Sequence, residues 1–361
     1  MLFRSVTSIG ADAMLAYCNP VGRPVKVGSA LYLEPSASNF TMTGDFSGDV
    51  YLTVMHSHGI NDENEPGLFV QIDGGDGVYF DLDTFYTKQT LKIASDLEAG
   101  AHTIQVSKSV DSKNGGLYIY SASFHGELAN TAAKSRKIQF VGDSITSGFG
   151  VVTKSHDPLG IVTDDVYTNK TYSYYSYANV VADTLDAEYY SISNGGWYFS
   201  SSDSADIENK SITRIYDEQS MLIELGDYDH SAWQPDVVVI NLGTNDATLK
   251  DADGKIVVTA EQYITDVAVM IDQVRAANPN AKIIWAYGAM GDTANMPEGS
   301  LEDWIIAAID AYNMDKDAAM QVSYVALPAH QDGLWSHPSV DGQEKIGQAL
   351  ATEIAGLMGW N

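Results

Sequence analysis

Up to about residue 130 the chain reads as short alternating runs of apolar and polar residues separated by turn residues. Runs at 25–33, 40–42, 50–54, 68–72, 77–82, 89–93, 102–106 and 116–124 have strand length and strand period. Gly44-Asp45, Asp73-Gly74-Gly75 and Asn114-Gly115-Gly116 punctuate them, which predicts an antiparallel β-sandwich of the jelly-roll kind. From about residue 136 the period changes. Apolar runs at 137–141, 187–192, 236–241, 282–287 and 322–327 alternate with segments long enough to carry a crossover helix, the order expected of a parallel sheet with helices on both faces. Thr259 with Gln262, and Asp341 with Glu344, form capping-box patterns ahead of helical apolar stripes. The expected organisation is therefore a sandwich over 1–130 followed by an α/β/α domain over 131–361. Two polar stretches, about 150–171 and 199–232, interrupt the second domain and are placed to shape a pocket mouth or to be surface insertions.

Composition narrows the partners. The chain has 361 residues, 45% of them hydrophobic, enough for two cores. Twenty basic against 48 acidic residues give a formal charge of −28, which would repel nucleic acid and anionic membrane surfaces and leaves an uncharged substrate as the better fit. A single cysteine, Cys18, excludes an internal disulfide and a thiolate metal cluster. No segment approaches ~18 consecutive apolar residues and the first residues lack a signal-peptide pattern. As written the chain reads as cytoplasmic, or as secreted if a signal has been removed. His56 and His58 alternate onto one strand face with Asp62 and Glu63 following, a conceivable metal set, but surface histidines beside a polar loop explain them more simply and no metal or organic cofactor is expected.

The candidate chemistry begins where the first buried run of the second domain stops. Residues 137–141 end at Gly142-Asp143-Ser144, a strand-to-loop position at which Ser144 can be a nucleophile and a tight turn is the plainer reading. Three further stretches change that balance: Ser193-Asn194-Gly195-Gly196-Trp197 after the second run, Asn241-Leu242-Gly243-Thr244-Asn245-Asp246 after the third, and Leu334-Trp335-Ser336-His337-Pro338 near the end. Parallel strands end at one sheet edge, so their trailing loops can share a crevice. Acyl transfer needs a nucleophile, a base and oxyanion donors; Ser144 and His337 fit the first two roles, and the N–H groups of Ser144 and Gly195 with the Asn245 amide fit the third. Asn194 is the alternative donor to Gly195. Asp143 and Asp246 read as loop-bracing residues.

These four blocks, in this order, resemble the SGNH (GDSL-like) hydrolase superfamily, and a sandwich preceding them makes the chain similar to carbohydrate esterase family 2. That resemblance implies removal of acetyl groups from acetylated plant polysaccharides or oligosaccharides of xylan or mannan type. Alternatives are an esterase or thioesterase for another acyl donor, and an inactive glycan-binding protein. The superfamily places an aspartate three residues before its histidine, where this chain has Leu334. Either Asp332 or a backbone carbonyl near Trp335 is then the group to orient His337. Aromatic rings beside a polar pocket suit sugar faces, which makes Trp335, Trp197 and Trp285 candidate substrate contacts.

Overall fold

A computed structural model describes residues 5–60, 67–82, 84–160, 162, 170–201, 210–250, 253–291, 296 and 299–360. Asp62 and Glu63 lie outside the described residues. The chain divides into two units, Met1–Lys134 and Ser135–Asn361.

The first unit is built on one antiparallel sheet. Its strands are β1 (Val6–Ile9), β2 (Val25–Val27), β3 (Ala30–Leu33), β4 (Asn39–His56), β5 (Gly67–Ile72), β6 (Val78–Asp81), β7 (Gln89–Lys108) and β8 (Leu117–Ala129), with α1 (Ala11–Tyr17) between the first two. They run in the order β2-β3-β8-β4-β7-β5-β6, with β1 added on β8. The long strands β4 and β7 each join two of the runs expected to be separate. Gly44-Asp45 is not a turn but part of β4: a side chain at Gly44 would stand 2.2 Å from the Glu127 carbonyl of β8, so glycine there permits strand approach rather than chain reversal. Register shifts between Phe46, Gly48 and Val50 bend the pair where the turn was expected, and bulges of this kind let a sheet curl upon itself. Alternate residues Phe40, Met42, Phe46, Leu52 and Val54 of β4 then meet Ile104 and Val106 of β7 and Leu117, Ile119 and Phe124 of β8 in one core.

The second unit holds five parallel strands, β9 (Arg136–Gly142), β10 (Ala187–Ser193), β11 (Val237–Asn241), β12 (Lys282–Tyr287) and β13 (Ser323–Ala326), in the order β10-β9-β11-β12-β13. Helices α2 (Ser144–Ser147), α3 (Tyr177–Thr184), α4 (Ile212–Ile215), α5 (Ala260–Ala277), α6 (Leu301–Asn313) and α7 (Val340–Met358) connect and cover them, α3 packing on α7 and α5 on α6. The Thr259 side chain caps α5 by accepting from the Gln262 N–H. Helix α7 starts earlier than the Asp341–Glu344 pattern suggested: Ser339 is its cap, accepting from the Gly342 N–H, and Asp341 sits inside the first turn. Among the described residues no helix is long and apolar enough to cross a membrane.

Register fixes where the loops emerge. Gly142 at the end of β9 lies opposite Ser193 of β10 on one side and Asn241 of β11 on the other. The three loops therefore leave the sheet at the same level, which is what a shared crevice requires.

Candidate active site

Ser144 opens the one-turn helix α2 immediately after β9, and every residue of that turn is buried. The turn is held by its own first residue: the Asp143 carboxylate accepts from the Ile145 N–H at 2.9 Å, and its backbone carbonyl accepts from both the N–H and the hydroxyl of Ser147. Ser147 Oγ also lies within hydrogen-bond distance of Ser193 Oγ at the end of β10, at 2.9 Å. Gly142 is required by packing, since a Cβ there would meet Thr146 Oγ1 at 2.0 Å. Strand, turn and neighbouring strand thus fix the Ser144 position, and Gln343 of α7 adds a bond by donating to the Ile145 carbonyl at 3.1 Å.

His337 Nε2 lies 2.8 Å from Ser144 Oγ, 193 residues away in the chain, and its Nδ1 lies 2.9 Å from the Leu334 carbonyl oxygen. A carbonyl can only accept, so Nδ1 carries the proton and Nε2 is left with the lone pair that faces the serine hydroxyl. Asp332 does not take part in this contact. Its carboxylate accepts from the N–H and hydroxyl of Ser339, the cap of α7. These bonds hold its pKa down against partial burial. Of the two orienting groups the sequence left open, the structure selects the backbone carbonyl.

The Leu334 carbonyl reaches the ring because the chain makes a left-handed turn, with Trp335 at φ 50° and Ser336 at φ 62°. Neither residue is glycine, so each position stores backbone strain of about 1–3 kcal/mol that the surroundings must hold. Backbone bonds supply the restraint: Leu334 N–H donates to the Gly150 carbonyl, His337 N–H to the Leu334 carbonyl, and Gly333 N–H to the His337 carbonyl. Phe149 completes the support. Its ring meets the His337 imidazole edge-on at 5.0 Å and 67°, and lies 5.6 Å from the Trp335 indole. Sequence reasoning missed Phe149; its place between Gly148 and Gly150, five residues after Ser144, was the available signal. Burial pushes the His337 pKa below its ordinary value, opposed by bonds to the Leu334 and Trp335 backbone.

The oxyanion candidates come from the neighbouring strand ends. Asn194–Trp197 forms a turn closed by Trp197 N–H to the Asn194 carbonyl, with Gly195 buried in its second position. The Asn245 amide nitrogen donates to the Trp197 carbonyl at 2.9 Å and stands 3.3 Å from Asp143 Oδ2, the residue before the serine. The shorter bond fixes the amide plane; the longer one is weak enough to yield its hydrogen to an incoming oxyanion. Asp246 receives the N–H groups of Ser200 and, more weakly, Phe199. Both aspartates are buried, which pushes Asp143 up to about 7 and Asp246 up to about 6.

The three tryptophans separate. Trp335 is 67% exposed beside the histidine, whereas Trp197 and Trp285 are 2% and 0% exposed. Trp285 packs against Phe199 inside the domain, and Trp197 contributes its carbonyl rather than its ring. Both are therefore corrected from substrate contacts to core residues, because strand-end aromatics here fill the space under the loops rather than above them.

Residues 140–345 match the GDSL-like lipase/acylhydrolase family. A cellulase/esterase CelE of Acetivibrio thermocellus is 29% identical over 290 residues, 76% of this chain and 32% of that protein, so the chain spans about a third of this relative. An acetylxylan esterase/glucomannan deacetylase of Cellvibrio japonicus is 25% identical, covering 72% of this chain and 70% of the relative. A family two carbohydrate esterase from Clostridium thermocellum, solved in complex with cellohexaose, shares the fold with a TM-score of 0.78 at 24% identity, covering 99% of this chain and all of that one. A match over more than half of the chain, spanning the serine, glycine, asparagine and histidine blocks, makes this protein a member of the GDSL-like lipase/acylhydrolase family.

Proposed function

We propose that this protein is a serine esterase that removes O-acetyl groups from acetylated plant polysaccharides or oligosaccharides of xylan or mannan type. The observation that carries the reading is the 2.8 Å contact between His337 Nε2 and Ser144 Oγ, with the tautomer set by Leu334. In the first half-reaction His337 Nε2 takes the hydroxyl proton as Ser144 Oγ attacks the acetyl carbonyl. The resulting oxyanion faces the Ser144 N–H, the Gly195 N–H and one Asn245 amide hydrogen. Collapse breaks the ester bond, and the His337 Nε2 proton passes to the sugar oxygen, which departs as an alcohol. Water, deprotonated by the same nitrogen, then attacks the acetyl-serine; the bond to Ser144 Oγ breaks as that proton passes from His337 Nε2 to the serine oxygen, and acetate leaves.

Trp335 is the sugar platform in this reading: an exposed indole beside the base offers a flat apolar face to a pyranose ring while the ester reaches the serine. The polysaccharide assignment draws support from the names of the relatives, and the small acyl group from the same source. Acetate release from acetylated xylan and glucomannan tests it. Wild-type protein should liberate acetate, and Ser144→Ala should lose activity by about 10⁴-fold or more while keeping its fold. Equal turnover of p-nitrophenyl octanoate and acetate would reject the acetyl assignment, and activity surviving in Ser144→Ala would reject the nucleophile.

A further inference from the structure

Two aromatic residues share a combination of properties found at no other aromatic among the described residues. Trp335 and Tyr86 are the most exposed, at 67% and 61%, and they are also the two whose backbone is left-handed, at φ 50° and 53°. The other non-glycine residues with positive φ are Asn19, Arg23, Ala37, Asp73, Asp96, Asp186 and Ser336, none of them aromatic. A large ring in this conformation costs the folded state twice, once in backbone strain and once in apolar surface left in water. Paired costs of this kind point from the outlier to a use.

Tyr86 stands on a built support in the first unit. Its N–H donates to the carbonyl of buried His56 at 2.7 Å, and the adjacent Phe85 bridges to His56. The Phe85 ring stacks on the His58 imidazole at 3.8 Å and 18°, and the His58 ring lies 5.4 Å from that of Tyr86. Burial raises the phenol pKa of Tyr118 in β8, and the Tyr86 phenol is close enough to push it further in the same direction electrostatically. The Tyr86 backbone is therefore anchored to the end of β4, and its ring lies against the His58 imidazole.

The chemistry of the patch selects its ligand. It offers ring faces edged by phenol and imidazole groups, the pairing that meets the C–H face and hydroxyl rim of a pyranose. The nearby Lys88 ammonium sits 3.6 Å above the Tyr120 ring and is engaged there, and the chain's charge of −28 disfavours phosphate or nucleic acid. We propose that Tyr86, flanked by the His58–Phe85 stack and Tyr118, is a non-catalytic platform for an uncharged polysaccharide chain. The inference rests on the reading of this protein as a polysaccharide esterase.

The experiment uses the full chain with Tyr86→Gly, which removes the ring but favours the left-handed turn, and with Tyr86→Trp, which keeps a ring. Retardation is measured in native gels cast with deacetylated glucomannan or xylan, in wild-type and Trp335→Ala backgrounds, alongside p-nitrophenyl acetate turnover. Tyr86→Gly should weaken retardation by about three- to tenfold in both backgrounds, Tyr86→Trp should restore it, and each Tyr86 change should leave ester turnover within about twofold of the background in which it is made. Retardation unchanged by Tyr86→Gly in both backgrounds would overturn the platform even if acetyl release from polysaccharide is intact. Absence of retardation and of acetyl release, with p-nitrophenyl acetate still cleaved, would instead overturn the polysaccharide reading on which the platform rests, and the platform with it.

Discussion

The proposed nucleophile and the proposed base are secured by opposite means. Ser144 is fixed by strand register, a buried carboxylate and a serine-to-serine bond reaching β10, all traceable to side-chain identity. His337 is fixed by a carbonyl, a strained turn and backbone bonds to Gly150, with Phe149 as the side-chain support. The comparison teaches that a position held by main-chain atoms tolerates changes of side chain that a carboxylate-held position would not, but is sensitive to changes of backbone shape.

Among changes to the supports of these two residues, breaking the backbone shape should give the largest effect. Ser336→Pro forces φ from 62° toward about −65° and withdraws the Leu334 carbonyl from Nδ1, so turnover of p-nitrophenyl acetate should fall by about 10² to 10⁴, the usual worth of a positioned general base. Ser336→Gly, which suits the left-handed region, should keep wild-type turnover. On the serine side, Asn245→Ala should lower kcat by about 10² to 10³ with little change in KM, as removal of an oxyanion donor does.

The pH dependence sharpens the contrast. The base must be neutral to accept the serine proton, and burial lowers the His337 pKa, so the acid limb of the kcat/KM profile should have its midpoint below pH 6.5. Asp143 and Asp246 behave in the other sense for stability. Their folded pKa values are raised to about 7 and about 6 from the ordinary 3.8, so the unfolded chain releases these protons first. Their contribution is greatest below pH 3.8 and is lost as pH rises through about 6 to 7. Denaturant midpoints measured across pH 4 to 8 should show a shallower loss in Asp246→Asn than in wild type. The smallest effect belongs to Asp332→Asn: turnover within about threefold, and a stability change of about 1 kcal/mol from the weakened bonds to Ser339. A loss comparable to Ser336→Pro would restore a carboxylate to the base and undo the comparison.

The same division explains what was legible in the sequence. The five apolar-rich runs of the second unit became five parallel strands because a central strand covered on both faces, such as the wholly buried β11, is mostly apolar, and the four motif blocks marked the loops that follow. The joined strands β4 and β7 were hidden, since Gly44 writes the same letter whether it turns the chain or lets two strands approach. The orienting carbonyl was hidden more deeply: every residue carries one, and only the left-handed turn at Trp335 and Ser336 decides where it points. Trp197 and Trp285 were misread because a large ring at a strand end signals size, not the side of the loop on which it packs.

Leu334 donates its N–H to Gly150, and Val340 donates its N–H to Val151, stitching the segment just after the serine turn to the segment on either side of the histidine. Amide protons at these two positions should exchange with solvent together, as one opening event. Thermal inactivation would then begin as a local unzipping that parts the two segments while the parallel sheet beneath them is still intact.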